Sequence, residues 1–150
     1  MRLPALISIL LFVVSCNPSV RPIEYGLDTC DFCKMSVADS RFAAEIVSDK
    51  GKVYTYDAIE CMVNALHDHP AEQLSAIVVM DFNNPNSWIN ATAGFYVINS
   101  KIQSPMGANL ACFSSEAEAK SALNISSDSI LNWNSLKSKR FTFDDQDFQK

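Results

Sequence analysis

The sequence predicts an α+β fold made of two small tandem ββαβ units packed together. Short runs of apolar and β-branched residues alternate with stretches whose apolar residues recur at helical spacing. The order strand, strand, helix, strand occurs twice along the chain. The two copies have matching residue pairs at the same separation in the sequence. Tyr56-Asp57 precedes Ala65-Leu66 in the first copy, and Phe113-Ser114 precedes Ala122-Leu123 in the second. Such a spacing indicates an internal repeat.

The first unit spans residues 30–82 and is predicted to begin with a β-hairpin. Strands are expected at residues 42–47 and 52–56, because both runs are rich in residues that favour strands. The intervening Ser-Asp-Lys-Gly sequence indicates a tight turn, in which Gly51 is free to adopt a positive φ.

A helix and a buried strand are predicted to complete this unit. Asp57 is expected to cap the helix, since its carboxylate can accept hydrogen bonds from N–H groups of the first turn, and Glu60 completes a capping-box pattern. The buried face is predicted from apolar residues at helical spacing, namely Ile59, Met62, Val63 and Leu66. The unbroken apolar run at residues 76–80 predicts a strand that is buried on both faces.

The second unit is predicted at residues 83–138. Its expected elements are strands at residues 94–98 and 108–113, a helix from a cap at Ser114 or Ser115 through Leu123, and a last strand at 130–133. Residues 139–150 are predicted to form an acidic tail, in which residues 144–147 are solvated.

The N-terminus has the pattern of a secretory signal peptide, which we predict at residues 1–15. Arg2 supplies a positive end, and a short apolar run at residues 6–14 is followed by the small residue Ser15. The run is too short for a membrane span, which takes ~20 residues.

Cys16 lies directly after the predicted cleavage site, where bacterial lipoproteins have a diacylated cysteine. Two acyl chains give stable attachment to a membrane. We therefore expect a lipoprotein of the cell envelope that faces the periplasm, with residues 16–29 as a tether between lipid and domain. Asn17 gives no inner-membrane retention signal, which favours the outer membrane.

Composition and motifs exclude two classes of function. The chain has a formal net charge of −5 at pH 7, whereas a nucleic-acid surface would present a basic patch. The sequence contains no G-x-S-x-G elbow, no H-E-x-x-H pair and no glycine-rich phosphate loop. We therefore expect a protein that is not an enzyme and binds no nucleic acid.

Sulfur ligands supply the main functional signal. Residues 30–35, Cys-Asp-Phe-Cys-Lys-Met, place two thiols and a thioether close together. These soft donors favour Cu(I), whereas a structural zinc site usually needs four ligands in two separated pairs. Met106 lies in a Ser-Pro-Met-Gly turn sequence, where an apolar residue has less packing reason to occur than in a strand. If the two units pack side by side, this turn comes close to the Cys33 loop.

The residues themselves leave other uses of the thiols open. Cysteines of secreted proteins usually form disulfides. Cys30 and Cys33 pair in that alternative, and Cys61 and Cys112 are small buried apolar residues. A second alternative is a thiol-disulfide redox protein that uses Cys30 and Cys33, and a third is a metal-independent adaptor that holds a membrane complex together.

Four motifs in order resemble those of the NosL family, copper-binding accessory lipoproteins of nitrous oxide reductase maturation. They are Cys33-Lys34-Met35, Tyr56-Asp57-Ala58-Ile59-Glu60-Cys61-Met62, Trp88-Ile89-Asn90-Ala91 leading into Phe95-Tyr96-Val97, and Ser104-Pro105-Met106-Gly107. The resemblance implies a fold of two ββαβ units, like part of organomercurial lyase. It also implies a periplasmic Cu(I) chaperone that serves a membrane complex of copper-site maturation and a recipient copper enzyme.

The resemblance further implies which residues bind copper. Cys33 and Met35 match the Cys-x-Met motif, and Met106 matches the Pro-Met-Gly methionine, so these three are the expected ligands. Cys30 is an additional candidate, although it is not a constant feature of the family. Two positions depart from the common pattern, because Lys34 and Glu60 stand where many members have glycine. We expect the Lys34 ammonium to lower the pKa of Cys33.

Overall fold

The predicted order of strands and helices is observed in the computed structural model, which describes residues 19–67, 74–123 and 129–143. Within these ranges the elements are β1 (Ala44–Ser48), β2 (Val53–Tyr56), α1 (Ile59–Leu66), β3 (Leu74–Met80), β4 (Trp88–Asn90), β5 (Phe95–Ile98), β6 (Leu110–Phe113), α2 (Glu116–Ala122), β7 (Ile130–Leu131) and α3 (Trp133–Lys137). The predicted signal peptide, Cys16 and residues 144–150 lie outside the described residues. No helix in the described ranges is long and apolar enough to cross a membrane.

The two sheets confirm the prediction of tandem ββαβ units. One sheet has the order β2-β1-β3-β4 and the other has the order β6-β5-β7, with every pairing antiparallel. In each unit the first strand is central, the second pairs on one side and the strand after the helix pairs on the other. The β1–β2 turn also forms as predicted, with Gly51 at φ +80°.

Two boundaries of the predicted second unit differ from the structure. β4 falls within residues 83–138, yet it extends the first sheet by pairing Ile89 with Val79. Trp133 begins α3 instead of ending a strand, because the Asn132 side chain accepts a 2.9 Å hydrogen bond from Ser135 N and so caps a helix. The strand at residues 76–80 is confirmed, but β3 is fully buried only in its second half.

Of the two predicted helix caps, the cap of α2 is correct and the cap of α1 is wrong. Ser115 caps α2 as expected, with its hydroxyl accepting a hydrogen bond from Glu118 N. Asp57 does not cap α1, because its carboxylate accepts a 3.0 Å hydrogen bond from Ala38 N in the preceding loop. Glu60 does not complete a capping box, since its side chain is fully buried and bonds to Ser104.

The predicted tether is shorter than residues 16–29, because its second half is part of the folded domain. The Arg21 guanidinium makes two hydrogen bonds of 2.7 and 2.8 Å to the Asp28 carboxylate and one of 3.1 Å to Thr55. Ile23 is buried in a small core with Val37, Ala43 and Met80. Long-range contacts of this kind leave no periodic signal in the sequence.

The largest core lies between α1, the first sheet, the β5–β6 hairpin and α3. It includes Cys30, Cys33, Cys61 and Met106 among apolar side chains from both units. A second, smaller core lies under α2, around Phe42, Val97 and Phe113. The sulfur atoms named from the sequence are therefore found in the main core of the protein.

Candidate metal centre

The Cys30–Met35 loop is a tight hairpin closed by its own backbone. Cys30 N donates to Met35 O at 2.7 Å, and Lys34 N donates to Cys30 O at 3.0 Å. Asp28 and Val37 extend the pairing toward the base of the loop, with a 2.8 Å bond from Val37 N to Asp28 O. This closure brings the Cys30 and Cys33 side chains together.

Lys34 has a backbone conformation that glycine normally supplies. Its φ is +66°, in the left-handed region, which costs a residue with a Cβ roughly 1–2 kcal/mol. Glycine adopts this left-handed conformation without that cost, because it has no Cβ. The Lys34 ammonium donates a hydrogen bond to the carbonyl oxygen of Asp31, so it closes over the backbone of the loop.

The loop is docked along β2, and this places it over the start of α1. Asp31 N donates to Thr55 O at 2.8 Å, and Thr55 N donates in return to the Asp31 carboxylate at 3.0 Å. β2 ends at Tyr56, and α1 begins three residues later at Ile59. The first turn of α1 therefore presents Cys61 to the two loop cysteines.

Cys30, Cys33 and Cys61 form one cluster, in which all three sulfur atoms lie within 4.8 Å of one another. Three sulfurs bound to one ion at about 2.3 Å lie about 4 Å apart, so the cluster suits a single low-coordinate ion. In the described part of the chain no histidine, carboxylate or fourth cysteine joins this group. The donor set is thus three soft thiols, which favours a soft ion over a hard one.

Cys61 is not among the ligands predicted from the sequence. The disulfide alternative makes Cys61 a small buried apolar residue, and the structure does bury it completely. The available signal was its position, in the first turn of a helix that directly follows a strand. Recognising it required the docking of the Cys30–Met35 loop along β2, which is a tertiary contact. Cys112 lies outside the cluster, in β6.

The three thiols share their protons through hydrogen bonds. Hydrogen bonds from the Cys33 and Cys61 thiols lower the pKa of Cys30. The hydrogen bonds that Cys61 makes with Cys30 and Cys33 raise the pKa of Cys61, and burial adds to the shift. The hydrogen bond to Cys30 also raises the pKa of Cys33, and this corrects the expectation that Lys34 lowers it.

Burial raises the pKa of the nearby Asp57 carboxyl to about 6, and the charge at Cys30 adds to the shift. Cys30 and Cys61 are fully buried, whereas Cys33 is 8% exposed. Cys33 is therefore the least buried cysteine of the cluster, and the one most accessible to an incoming ligand.

Two methionines predicted as ligands lie in the core that contains the thiols. Met35 is partly buried and packs against this core, and Met106 is buried with 2% exposure. Met106 also lines a groove of about 540 Å³ together with Arg140 and Phe141. Their roles as ligands stay predictions, whereas the structure does bring Cys30 and Cys33 together.

Part of the predicted acidic tail, residues 139–143, packs against α1 and the Cys30–Met35 loop. Residues 139–143 cross α1, where Asn64 donates to Phe141 O at 2.8 Å and accepts from Phe141 N at 3.0 Å. The Phe143 ring packs edge-on against the Phe32 ring, with ring centroids 6.0 Å apart. In the sequence, Phe32 lies between Cys30 and Cys33. Residues 139–143 are therefore part of the folded domain, and the acidic residues 144–147 lie outside the described ranges.

The cysteines of the described ranges, Cys30, Cys33, Cys61 and Cys112, are free thiols. The disulfide alternative requires Cys30 to pair with Cys33. Both residues are free thiols instead, so both are available as metal ligands.

A family model named NosL matches residues 25–139, which is most of the chain. The chain belongs to the NosL family. The matched region contains the three-cysteine cluster and the Met106 turn, but it ends before the segment that bonds to Asn64. The family resemblance predicted from the four motifs is thereby confirmed.

A solved structure has the same fold as this NosL-family chain. It is the crystal structure of the copper chaperone NosL from Shewanella denitrificans, with a TM-score of 0.60 and 20% sequence identity. The match covers 70% of this chain and 85% of that one. A comparison with curated proteins gave no match.

Proposed function

We propose that this NosL-family protein is a Cu(I) chaperone of the bacterial cell envelope and does not act as an enzyme. The observation behind the proposal is the cluster of three thiols from Cys30, Cys33 and Cys61 within 4.8 Å. Soft, low-coordinate sulfur sites suit Cu(I). The related protein from Shewanella denitrificans is described as a copper chaperone, which supports the same role here.

The chemistry of the cluster suits a carrier that must also release its cargo. Thiolate ligands hold Cu(I) tightly, while a two- or three-coordinate ion can accept an entering ligand before an old one leaves. Cys33 is the least buried of the three cysteines, so thiol exchange with a recipient would begin at Cys33. Burial of Cys30 and Cys61 keeps the other ligands away from competing thiols and oxidants.

We propose Cys33, Cys30 and Cys61 as thiol ligands and Met35 and Met106 as thioether ligands. Met35 follows Cys33 in the same loop, and Met106 is buried in the same core. Thioethers stay neutral and do not form disulfides, so they add affinity in an oxidising compartment without becoming inactivated by oxidative cross-linking.

We propose that the protein is attached to the membrane through lipid on Cys16 and faces the periplasm. The folded domain begins to dock at Arg21, only a few residues after Cys16, which would keep the thiol cluster close to the membrane surface. Its partners would be a membrane complex of copper-site maturation and a recipient copper enzyme, with nitrous oxide reductase as the proposed client.

An anaerobic Cu(I) titration against a chromophoric chelator tests the proposal. The domain starting after Cys16, with its thiols reduced, is expected to bind one Cu(I) per chain, and Cys33→Ser, Met35→Leu and Met106→Leu should each weaken binding. Zn(II) serves as the comparison ion and should bind more weakly, because a structural zinc site takes four Cys or His ligands and the cluster supplies three. No binding of Cu(I) by the reduced protein would contradict the proposal.

One observation favours a second candidate, a thiol-disulfide redox protein. The hydrogen bond from Cys33 lowers the pKa of Cys30, and a stabilised thiolate beside a second thiol is a feature of redox-active pairs. Complete burial of Cys30 argues against it, because the attacking thiolate needs access to its partner. A redox titration distinguishes the two, since only the redox protein shows a reversible two-electron step at the potential of its compartment.

A further inference from the structure

Glu60 is a fully buried carboxyl group in the first turn of α1. It occupies the second position of α1, directly before Cys61, and has no exposed surface. One oxygen, Oε2, has no hydrogen-bond partner. Burying a polar atom without a partner costs on the order of 1–3 kcal/mol, so an apolar side chain would serve packing better at this place.

The other oxygen of Glu60 connects α1 to the turn that contains Met106. Glu60 Oε1 accepts a hydrogen bond from the Ser104 hydroxyl, which is itself buried. The two residues come from different ββαβ units, so the bond crosses between them. It joins the residue next to Cys61 to a residue two positions before Met106.

Ser104 in turn holds the turn closed. Its hydroxyl oxygen accepts a 2.9 Å hydrogen bond from Asn109 N, and its carbonyl oxygen accepts a 3.0 Å bond from Gly107 N. Gly107 and Asn109 both adopt left-handed backbone conformations, at φ +76° and +57°. Met106 lies within this closed turn and is buried with 2% exposure.

We propose that Glu60 is a positioning residue, which holds the Met106 thioether at the thiol cluster through its hydrogen bond to Ser104. The inference rests on the proposed Cu(I) function and deepens it. Without this bond the turn would lose the Ser104 side-chain link to α1, and the apolar packing around it does not fix the direction of a flexible methionine side chain. Groups that orient a ligand in this way typically change metal affinity by about 10- to 100-fold when removed.

The test uses the reduced domain with ¹³C-labelled methionine methyl groups, before and after addition of Cu(I). Ser104→Ala and Glu60→Leu each remove the connecting hydrogen bond, whereas Glu60→Gln retains an oxygen that can accept it. We expect the Met106 methyl resonance of the wild type to shift on Cu(I) binding. The shift should be lost in Ser104→Ala and Glu60→Leu, with Cu(I) affinity about tenfold weaker, and should persist in Glu60→Gln.

A double-mutant cycle separates positioning from a general effect on the fold. In a Met106→Leu background, Ser104→Ala should cause no further loss of Cu(I) affinity, because the ligand that it positions is already absent. Thermal unfolding identifies any variant that fails to fold. If Glu60→Leu fails to fold, the Met106 shift and the Cu(I) affinity of Ser104→Ala decide whether the hydrogen bond positions Met106.

The outcomes for the two proposals are distinguishable. A wild type that binds Cu(I) while the Met106 shift persists in Ser104→Ala would overturn the role of Glu60 and leave the chaperone proposal intact. A wild-type Met106 resonance that does not shift when Cu(I) binds would also overturn the role of Glu60 and leave the chaperone proposal intact. A wild type that binds no Cu(I) would overturn both.

Discussion

The sulfur atoms of Cys30 and Cys61 lie within 4.8 Å of each other, although the two residues belong to different elements. Cys30 lies in a hairpin loop before the first strand, and Cys61 lies in α1. Hydrogen bonds between the Cys30–Met35 loop and Thr55 of β2 set this arrangement. The site is therefore defined by how the loop docks on the fold.

Replacing Lys34 with glycine should stabilise the protein. Lys34 has φ +66°, and glycine removes the steric cost of that conformation. Glycine also makes the unfolded chain more flexible, so we expect a net gain of about 0.5–1 kcal/mol in the free energy of unfolding, measured with urea. Lys50→Gly is the matched control, because Lys50 is exposed and does not have a positive φ. That control should lose stability, and a similar loss in Lys34→Gly would contradict the explanation.

Glu45 should make stability fall as the pH rises toward neutrality. Burial raises the pKa of Glu45 to about 7, and its Oε1 has no hydrogen-bond partner. A raised pKa in the folded state means that the neutral form is favoured by folding. This contribution is complete below the unfolded-state pKa of about 4.3 and is lost as the pH rises through about 7.

Glu45→Gln tests that prediction by removing the titrating group. The free energy of unfolding of the wild type should decrease between pH 5 and pH 8, and the variant should lack about 2 kcal/mol of that decrease. Glu24→Gln, at an exposed position, is the control and should keep the wild-type profile. Urea titrations of reduced protein across this pH range provide the measurement, and identical slopes for wild type and Glu45→Gln would refute the assignment.

Asn64→Ala should release residues 139–143 from α1. Asn64 makes two hydrogen bonds with the backbone of Phe141, and a hydrogen bond contributes about 1 kcal/mol to stability. We expect a loss of about 1–2 kcal/mol and faster hydrogen exchange at the Phe141 amide. Alanine is the better helix former, so helix propensity cannot explain a loss. The control is Asn134→Ala in α3, where the side chain is exposed; unchanged Phe141 exchange in Asn64→Ala would contradict the docking.

Much of the fold could be predicted from the sequence because local signals and tertiary structure agree there. Gly51 fixes the β1–β2 turn, and Ser115 caps α2, as their positions indicate. Asp57 shows the limit of such signals. It follows a strand and precedes a helix, yet its carboxylate bonds to Ala38 N, because a loop from earlier in the chain lies within reach.

The candidate site could be predicted only in part for the same reason. The spacing of Cys30, Cys33 and Met35 identified the loop, since soft ligands close in sequence are informative without a structure. Cys61 and the covering segment at Phe141 depend on contacts between residues far apart in the chain. The electrostatic role expected of Lys34 failed because the neighbouring thiols, which are in direct contact, determine the pKa of Cys33.

The most direct test of the account compares two cysteine substitutions in an anaerobic Cu(I) titration. Cys61 and Cys112 are both fully buried, but only Cys61 belongs to the cluster with Cys30 and Cys33. The account predicts that Cys61→Ala weakens Cu(I) binding as strongly as Cys33→Ala, while Cys112→Ala binds one Cu(I) with wild-type affinity. Equal affinities in Cys61→Ala and Cys112→Ala, with both variants folded, would contradict it.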